Sequence, residues 1–432
     1  MIFGNVARHA PPEHEEVVGE YETVVLPYEQ VDIVGTTRLR NLAKAGVLTV
    51  ADARDGWRIT AKTVVGVIDL GSVRLVVKPK IAIAGDRLID WLCYAQGLKG
   101  PKEYHGGHKP WLLSQHGYRS ADMIVGALVE ECRFLLRDGL RREYVRGSSI
   151  EAHLSGRLDI VAQATRAYGR ADRFHVSTYR QVAHTWENLV CGLALSRAAA
   201  FTDDPQLGAT ALALSARFPK PENEQPVLDQ LRKASYSRLN SRYESAHAWA
   251  GILLRTGGVA DLLHTSGHWA RTMLLNMNVL WENVVRRMAV EAVIPNGGQV
   301  IRSTLPSVAI TAVGNVSPTH HSPPKPYRPD CLVRCGPGPA SQQIPIDAKY
   351  IAYDDKRIEA GNVHQLMTYV SGYCDPDQRV ALLVYPSVGG GLHREIQVGS
   401  TNRRIGRIHV VGVDVTKQPE VSMMRIRRLL YG

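Results

Sequence analysis

Arg328-Pro-Asp-Cys-Leu-Val-Arg334 leads into the segment Cys335-Gly-Pro-Gly-Pro-Ala340 and then into Ile344-Pro-Ile-Asp-Ala-Lys-Tyr350. Two short apolar runs flank a Gly/Pro cluster, which is the pattern of a β-hairpin. Side chains in a strand alternate faces. Asp347 and Lys349 therefore share one face, and Ile346, Ala348 and Tyr350 the other. Asp330 stands near the start of the first strand, so pairing the two strands can set its carboxylate beside that of Asp347. Pro345 cannot donate to a ladder, which places it at the beginning of its strand or at an edge. Two carboxylates and a lysine on a rigid hairpin suit a hard divalent cation held against a phosphate. Mg2+ takes oxygen ligands, one or two carboxylates among them, and keeps several waters. An ammonium group beside it can orient or deprotonate an attacking water and offset charge growing on phosphorus.

Pro329-Asp330 with Asp347-Ala348-Lys349 resembles the PD-(D/E)xK nuclease motif. The motif alone is short and degenerate, but here it stands in a longer order. Asn276-Met-Asn-Val-Leu-Trp281-Glu282 lies upstream, then come Arg-Pro-Asp and Asp-Ala-Lys-Tyr, then His364-Gln365-Leu366 with Tyr369. That order resembles McrC, the nuclease subunit of the McrBC modified-cytosine restriction systems. The runs Val65–Leu70 and Leu75–Ile81, and the segment Leu154–Leu158, carry a more diffuse similarity to the same family.

The resemblance implies a metal-dependent DNA endonuclease subunit, with Mg2+ as cofactor and Mn2+ as its substitute. Asp330, Asp347 and Glu282 would bind the metal, Lys349 would assist the attack of water, and Gln365 would support the lysine or a phosphate. It also implies two partners: DNA, and an McrB-like AAA+ GTPase ring that carries the modified-base reader. The N-terminal domain would dock to that ring. Two other readings stay open: a standalone PD-(D/E)xK nuclease of repair or defence, and a non-catalytic activator or scaffold of an AAA+ NTPase. Plainer structural roles also exist for two of these residues. Glu282 can form an i,i+4 surface pair with Arg286, and Gln365 can close a capping box opened by Asn362.

Composition agrees with a soluble globular protein that meets a polyanion. Of 432 residues, 44% are hydrophobic and 22% charged. Lys plus Arg is 52 against 41 Asp plus Glu, a net charge of +11. Such an excess favours nucleic acid through counterion release. Six scattered cysteines suit a reducing cytoplasm. Only Cys331 and Cys335 lie close together, and no second pair faces them, so a zinc site is not expected. The N-terminus lacks the apolar core of a secretion signal, and no run approaches a membrane span. There is no GxxxxGK[ST], so nucleotide hydrolysis would come from another subunit.

Chain length and patterning predict an α/β chain of the α+β multidomain type. Residues 1–113 read as a small β-rich domain, with strands at Glu22–Pro27, Val64–Leu70 and Val73–Val77 and helices near Arg38–Ala45 and Arg87–Gln96. Residues 114–265 read as mainly helical. Ile124, Leu128, Cys132, Leu135 and Leu136 recur at helical spacing after Ser120, and Glu187 and Asn188 look like polar satisfaction at a helix start. Residues 266–432 read as the PD-(D/E)xK restriction-endonuclease-like domain. Within it, a helix is expected from Thr272 to Ile294 with stripe Met277, Leu280, Trp281, Val284 and Met288, stopping at Pro295-Asn-Gly-Gly. A strand-like run at Val300–Val313, a Pro-rich loop at Ser317–Pro326 and a buried strand at Val380–Tyr385 follow. Histidines 105, 108 and 116, in a Gly/Pro-punctuated linker, read as a solvated loop. His264 and His268 lack the glutamate of a zinc HExxH helix. Arginines at 403, 404 and 407, and at 425, 427 and 428, are candidates for phosphate contacts or a solvated face.

Overall fold

The computed structural model describes residues 14–81, 83, 85–97, 120–170, 172–202, 204–255, 273–301, 328–336, 342–400 and 403–431. The linker histidines, His264 and His268, the Val300–Val313 run beyond Ile301 and the Pro-rich loop lie outside the described residues. Two compact units emerge, one formed by 14–97 with 273–431 and the other by 121–255. The first and third of the expected segments thus share one unit.

The first segment holds β1 (His14–Gly19), β2 (Thr23–Leu26), α1 (Ile33–Lys44), β3 (Leu48–Ala53), β4 (Gly56–Ala61), β5 (Val64–Asp69), β6 (Val73–Lys78) and α2 (Gly85–Ala95). β2, β4 and β3 form one antiparallel sheet. β1 pairs parallel with β6, which pairs antiparallel with β5. Valine-rich alternation drives the β5–β6 hairpin, and Val73, Leu75 and Val77 are fully buried. Asp32 caps α1 through a hydrogen bond from Gly35 N.

The second unit opens with α3 (Ser120–Asp138), whose Ile124, Leu128, Cys132 and Leu135 are fully buried. It continues through β7 (Glu143–Glu151), β8 (Arg157–Leu158), α4 (Ile160–Arg166), β9 (Phe174–Val182), α5 (Trp186–Phe201), α6 (Pro205–Ser215), α7 (Glu224–Arg232) and α8 (Glu244–Arg255). The expectation of a mainly helical segment missed the sheet β7-β9-β8. β7 is largely exposed along its length, so it shows no apolar alternation to read. The polar reading of Glu187 and Asn188 is borne out. Asn188 donates to the main-chain oxygens of Arg141 and Ala183 at 2.8 and 2.7 Å and accepts from Tyr243 OH at 2.7 Å. Glu187, fully buried, pairs with Arg141 and accepts from Asn240 at 3.0 Å.

The remaining segment returns to the first unit. β10 (Met273–Asn276) pairs antiparallel with β5, Met273 to Val67 through Asn276 to Val64. The helix expected from Thr272 therefore begins later, as α9 (Met277–Val293), with Asn276 accepting hydrogen bonds from Asn278 N and Val279 N as N-cap. Val64–Val67 offers a strand edge, and local periodicity cannot see it. The predicted stripe is buried along its length. The stop lies where expected: Gly297 has φ +72°, a left-handed conformation glycine adopts freely. A Cβ on Gly298 would stand 2.6 Å from Arg334 O.

Six strands then form the largest sheet: β11 (Gln299–Ile301), β12 (Cys331–Cys335), β13 (Gln342–Ala348), β14 (Val380–Ser387), β15 (His393–Ser400) and β16 (Arg403–Asp414), in the order β11-β12-β13-β14-β16-β15. β12 and β13 pair antiparallel, whereas β13, β14 and β16 run parallel, so the sheet is mixed. Every residue of β14 is buried, as a strand covered on both faces must be. α10 (Ala360–Tyr373) covers one face: Leu366, Tyr369 and Val370 pack with Ala381, Leu383, Tyr385, Ile408 and Val410. α9 and α11 (Pro419–Tyr431) belong with the opposite face, where Trp281 Nε1 donates to Val384 O at 3.0 Å. Pro345 is not at the start of β13. It is the last residue before pairing with β14 begins at Ile346, so its missing N–H breaks no bond on that side. All six cysteines are free, and among the described residues no helix is long and apolar enough to cross a membrane.

α2 joins the two segments of this unit. Trp91, 2% exposed, donates its indole N–H to Val415 O at 3.0 Å and packs 6.2 Å from the Trp281 ring. Tyr94 OH donates to Glu291 at 2.8 Å. Trp91→Ala is expected to lower the stability of this unit by about 3–5 kcal/mol, the range for a buried tryptophan, measured as a shift of its urea midpoint.

Candidate functional site

The hairpin register decides the site. Cys331 pairs with Ile346, so one step further Asp330 stands opposite Asp347. Asp330 is fixed by its own carboxylate, whose Oδ2 accepts a hydrogen bond from Ala348 N at 2.7 Å. Asp347, on the last turn of pleat in β13, is 1% exposed. Lys349 lies one residue past β13, yet its N–H donates to Val384 O at 3.0 Å and keeps it in line with β14. As expected from strand alternation, Lys349 Nζ comes back to Asp347, 2.9 Å from Oδ2.

That ion pair is the one polar contact of the buried Asp347 Oδ2 among the described residues. Nζ also donates to Gln365 Oε1 at 3.3 Å. Gln365 Nε2 in turn donates to Tyr369 OH at 2.7 Å, and Tyr369 OH donates to Arg328 O at 2.8 Å. One chain of bonds thus runs from the lysine through α10 to the peptide two residues before Asp330, and it orients the Gln365 amide with its oxygen towards the ammonium. The capping box is corrected by the same geometry. Glu359 is the N-cap of α10, and Asn362 lies inside the first turn, donating to Tyr353 OH at 2.8 Å.

Glu282 reaches the site from α9, positioned by the bond of its neighbour Trp281 to β14. No Glu282–Arg286 ion pair forms among the described residues; Arg286 donates to the main-chain oxygen of Asp330 at 3.0 Å instead. The tie between α9 and the hairpin was not foreseen from the sequence, although the i,i+4 spacing had marked Arg286. Of the tail arginines, Arg425 bonds Gly391 O and Arg427 donates to Asn296 at 3.2 Å, so both act within the fold.

The electrostatics are those of crowded acids. Burial pushes the Asp347 carboxyl up to about 6; the Asp330 charge adds to this and the Lys349 ammonium opposes it. Burial also raises Asp330, against the Ala348 N–H and the charges of Lys349 and Arg286. Glu282 is raised by burial and then by the charges of Asp330 and Asp347. Asp330 and Asp347 act on each other across the hairpin, and Glu282 acts on the same site through its charge. Among the described residues no three acidic, imidazole or thiol groups stand ready to hold one ion. The register sets Asp330 opposite Asp347, and Glu282 adds its charge from α9. A buried carboxylate oxygen met only by the Lys349 ammonium, opposite a second carboxyl, is the kind of hard oxygen a divalent cation takes.

A family model for the McrBC 5-methylcytosine restriction system component matches residues 59–386. The chain belongs to this family. The matched range contains Glu282, Asp330, Asp347, Lys349 and Gln365. Among solved structures, the chain is similar to one from the refined half-complex of the tetradecameric assembly of Thermococcus gammatolerans McrB AAA+ hexamers with bound McrC. Identity is 16% and the TM-score 0.56, over 96% of this chain and 100% of that one. The Thermococcus gammatolerans McrBC complex also matches, at 16% identity and TM-score 0.43, over 65% of this chain and 90% of that one. The first likeness shows a shared fold over nearly the whole chain. No curated protein matches.

Proposed function

We propose that this chain is the Mg2+-dependent DNA endonuclease of an McrBC-type restriction complex, with a PD-(D/E)xK catalytic fold formed by the six-stranded sheet, α9 and α10. The observation that carries the reading is the opposition of Asp330 and Asp347 with Lys349 Nζ 2.9 Å from the buried Asp347 Oδ2. Family membership and a sheet that runs antiparallel at the hairpin and parallel beyond it support the same reading. Asp330 and Asp347 would hold Mg2+ directly, and Glu282 would join through a water, since Mg2+ keeps several. When bound, the ion supplies a polarised phosphoryl oxygen and an acidified water.

The chain's own residues do the rest. Asp347 would offer its carboxylate to the ion, and it holds Lys349 by its ion pair. Lys349 orients the attacking water and offsets charge that grows on phosphorus. Gln365 fixes where the ammonium sits, and Tyr369 fixes Gln365. Nothing in this constellation reads a base, so selection of modified DNA falls to the partner. By likeness to the complex of McrB AAA+ hexamers with bound McrC, that partner would be an AAA+ ring, and GTP is the nucleotide we propose for it.

The experiment is cleavage of plasmid carrying 5-methylcytosine by the full chain, with and without such a ring, GTP and Mg2+. Cutting that needs all components is expected. Cutting by the chain with Mg2+ alone would favour a standalone nuclease. Intact DNA, with the ring's NTP turnover stimulated equally by wild type and Asp330→Ala, would leave a scaffold and end the nuclease reading.

A further inference from the structure

Arg286 is exposed and stands one turn beyond Glu282 on α9. One terminal nitrogen donates to the main-chain oxygen of Asp330 at 3.0 Å, its one hydrogen bond among the described residues. Its bond to the Asp330 peptide sets it beside the site, and its charge is felt by Glu282, Asp330 and the Cys331 thiol. Yet it forms no ion pair with those carboxylates among the described residues. The charges of the loaded site explain what it is for. Ionised Glu282, Asp330 and Asp347 supply three negative charges; Lys349 with one bound divalent cation would supply three positive ones. Arg286 is then a surplus cation at the edge of a neutralised centre, and the group that next brings negative charge there is the DNA phosphate. A guanidinium presents five donors in a planar fork, so one nitrogen can stay on the Asp330 peptide while the others serve a second acceptor.

The geometry points to Arg286 as a phosphate-contacting catalytic residue: anchored on Asp330 by one nitrogen, it gives the rest of its fork to a non-bridging oxygen of the phosphodiester being cut. This rests on the nuclease reading. The same contact couples the position of the substrate to that of Asp330, because one planar group holds both.

The test uses the full chain and a short DNA duplex carrying 5-methylcytosine, with Ca2+ in place of Mg2+ for binding and Mg2+ with the ring and GTP for cleavage. Arg286→Gln is expected to reduce the slope of log affinity against log salt by about 0.9, the loss of one neutralised phosphate, and to slow cleavage by about 100-fold. Arg286→Lys is expected to keep the slope, because the charge remains, and still to lose most of the rate, because an ammonium cannot serve peptide and phosphate in one plane. An unchanged slope in Arg286→Gln overturns the contact, however far the rate falls, and leaves Arg286 as a brace for Asp330. A lost slope in Arg286→Lys overturns it too. If wild type neither binds nor cuts the duplex, the nuclease reading itself has failed, an outcome no Arg286 variant produces.

Discussion

Asp347→Ala is expected to slow DNA cleavage at least about a thousandfold, some 4 kcal/mol of transition-state stabilisation, without unfolding the protein. The first half follows from removing one of the two close carboxylates and the partner of Lys349 at once. The second half follows from the cost of the residue in the metal-free fold. Asp347 is buried, its Oδ2 meets only the Lys349 ammonium among the described residues, and its carboxyl is pushed up to about 6 by burial. A carboxyl raised in the folded state favours folding when protonated. Its contribution is fully present below the ordinary carboxylate range near 4 and is lost as pH rises through about 6. At neutral pH the ionised group therefore costs the fold about 3 kcal/mol. The isosteric Asp347→Asn should raise the melting temperature in EDTA at pH 7 and flatten the decline expected of wild type between pH 4 and 6. Added Mg2+ should stabilise wild type, by mass action on the folded state, and have little effect on the variant. Thermal unfolding across this pH range, beside a plasmid-cutting assay, reads both halves; a variant that still cuts ends the assignment of Asp347.

The hairpin was legible because its information is local. Asp330 and Asp347 can be set opposite each other from strand alternation and a Gly/Pro cluster alone, and the register Cys331 to Ile346 does so. The stop of α9 at Gly297 and Gly298 and the buried strand β14 were legible for the same reason. Elements decided at a distance were not. Met273-Leu-Leu-Asn276 is apolar enough for a helix, and only the edge of β5 makes it a strand. Asn362 looks like a cap, but its amide is taken by Tyr353 OH and the helix starts earlier. Strands β3 and β4 went unread although Asp55-Gly56 is a strong hairpin signal; the two turn residues are Arg54 and Asp55, and Gly56, at φ +148°, opens β4 opposite Ala53. Arg286 carried a readable spacing to Glu282, but its hydrogen bond goes to a peptide 44 positions on, which no periodicity marks. The site's chemistry was thus visible where one hairpin holds it, and hidden where a helix from elsewhere completes it.

Lys349→Met is expected to separate rate from metal binding. Its Nζ sits 2.9 Å from Asp347 Oδ2 and donates to Gln365 Oε1 at 3.3 Å, so the ammonium is held between an acid and an amide that cannot neutralise it further. If Lys349 served only to balance Asp347, a divalent cation would replace it, and enough Mg2+ would restore the variant. If it acts on the water and on the charge growing on phosphorus, Mg2+ cannot restore it. The rate at saturating Mg2+ should then stay about 100- to 1000-fold down, the loss typical of one positioned electrostatic group. The Mg2+ concentration for half-maximal rate should at the same time fall or hold, because a competing cation has left the carboxylates. The metal-free fold offers an independent check. Lys349 holds Asp347 down against burial, so without it the carboxyl rises further and the pH-dependent loss of stability moves to higher pH. Methionine keeps the length and apolar stem of lysine, so a shift of that curve without loss of cooperativity reports the charge and not the packing. A variant rescued to the wild-type rate by Mg2+ would reduce Lys349 to a counterion and would leave the attacking water without a partner on this chain.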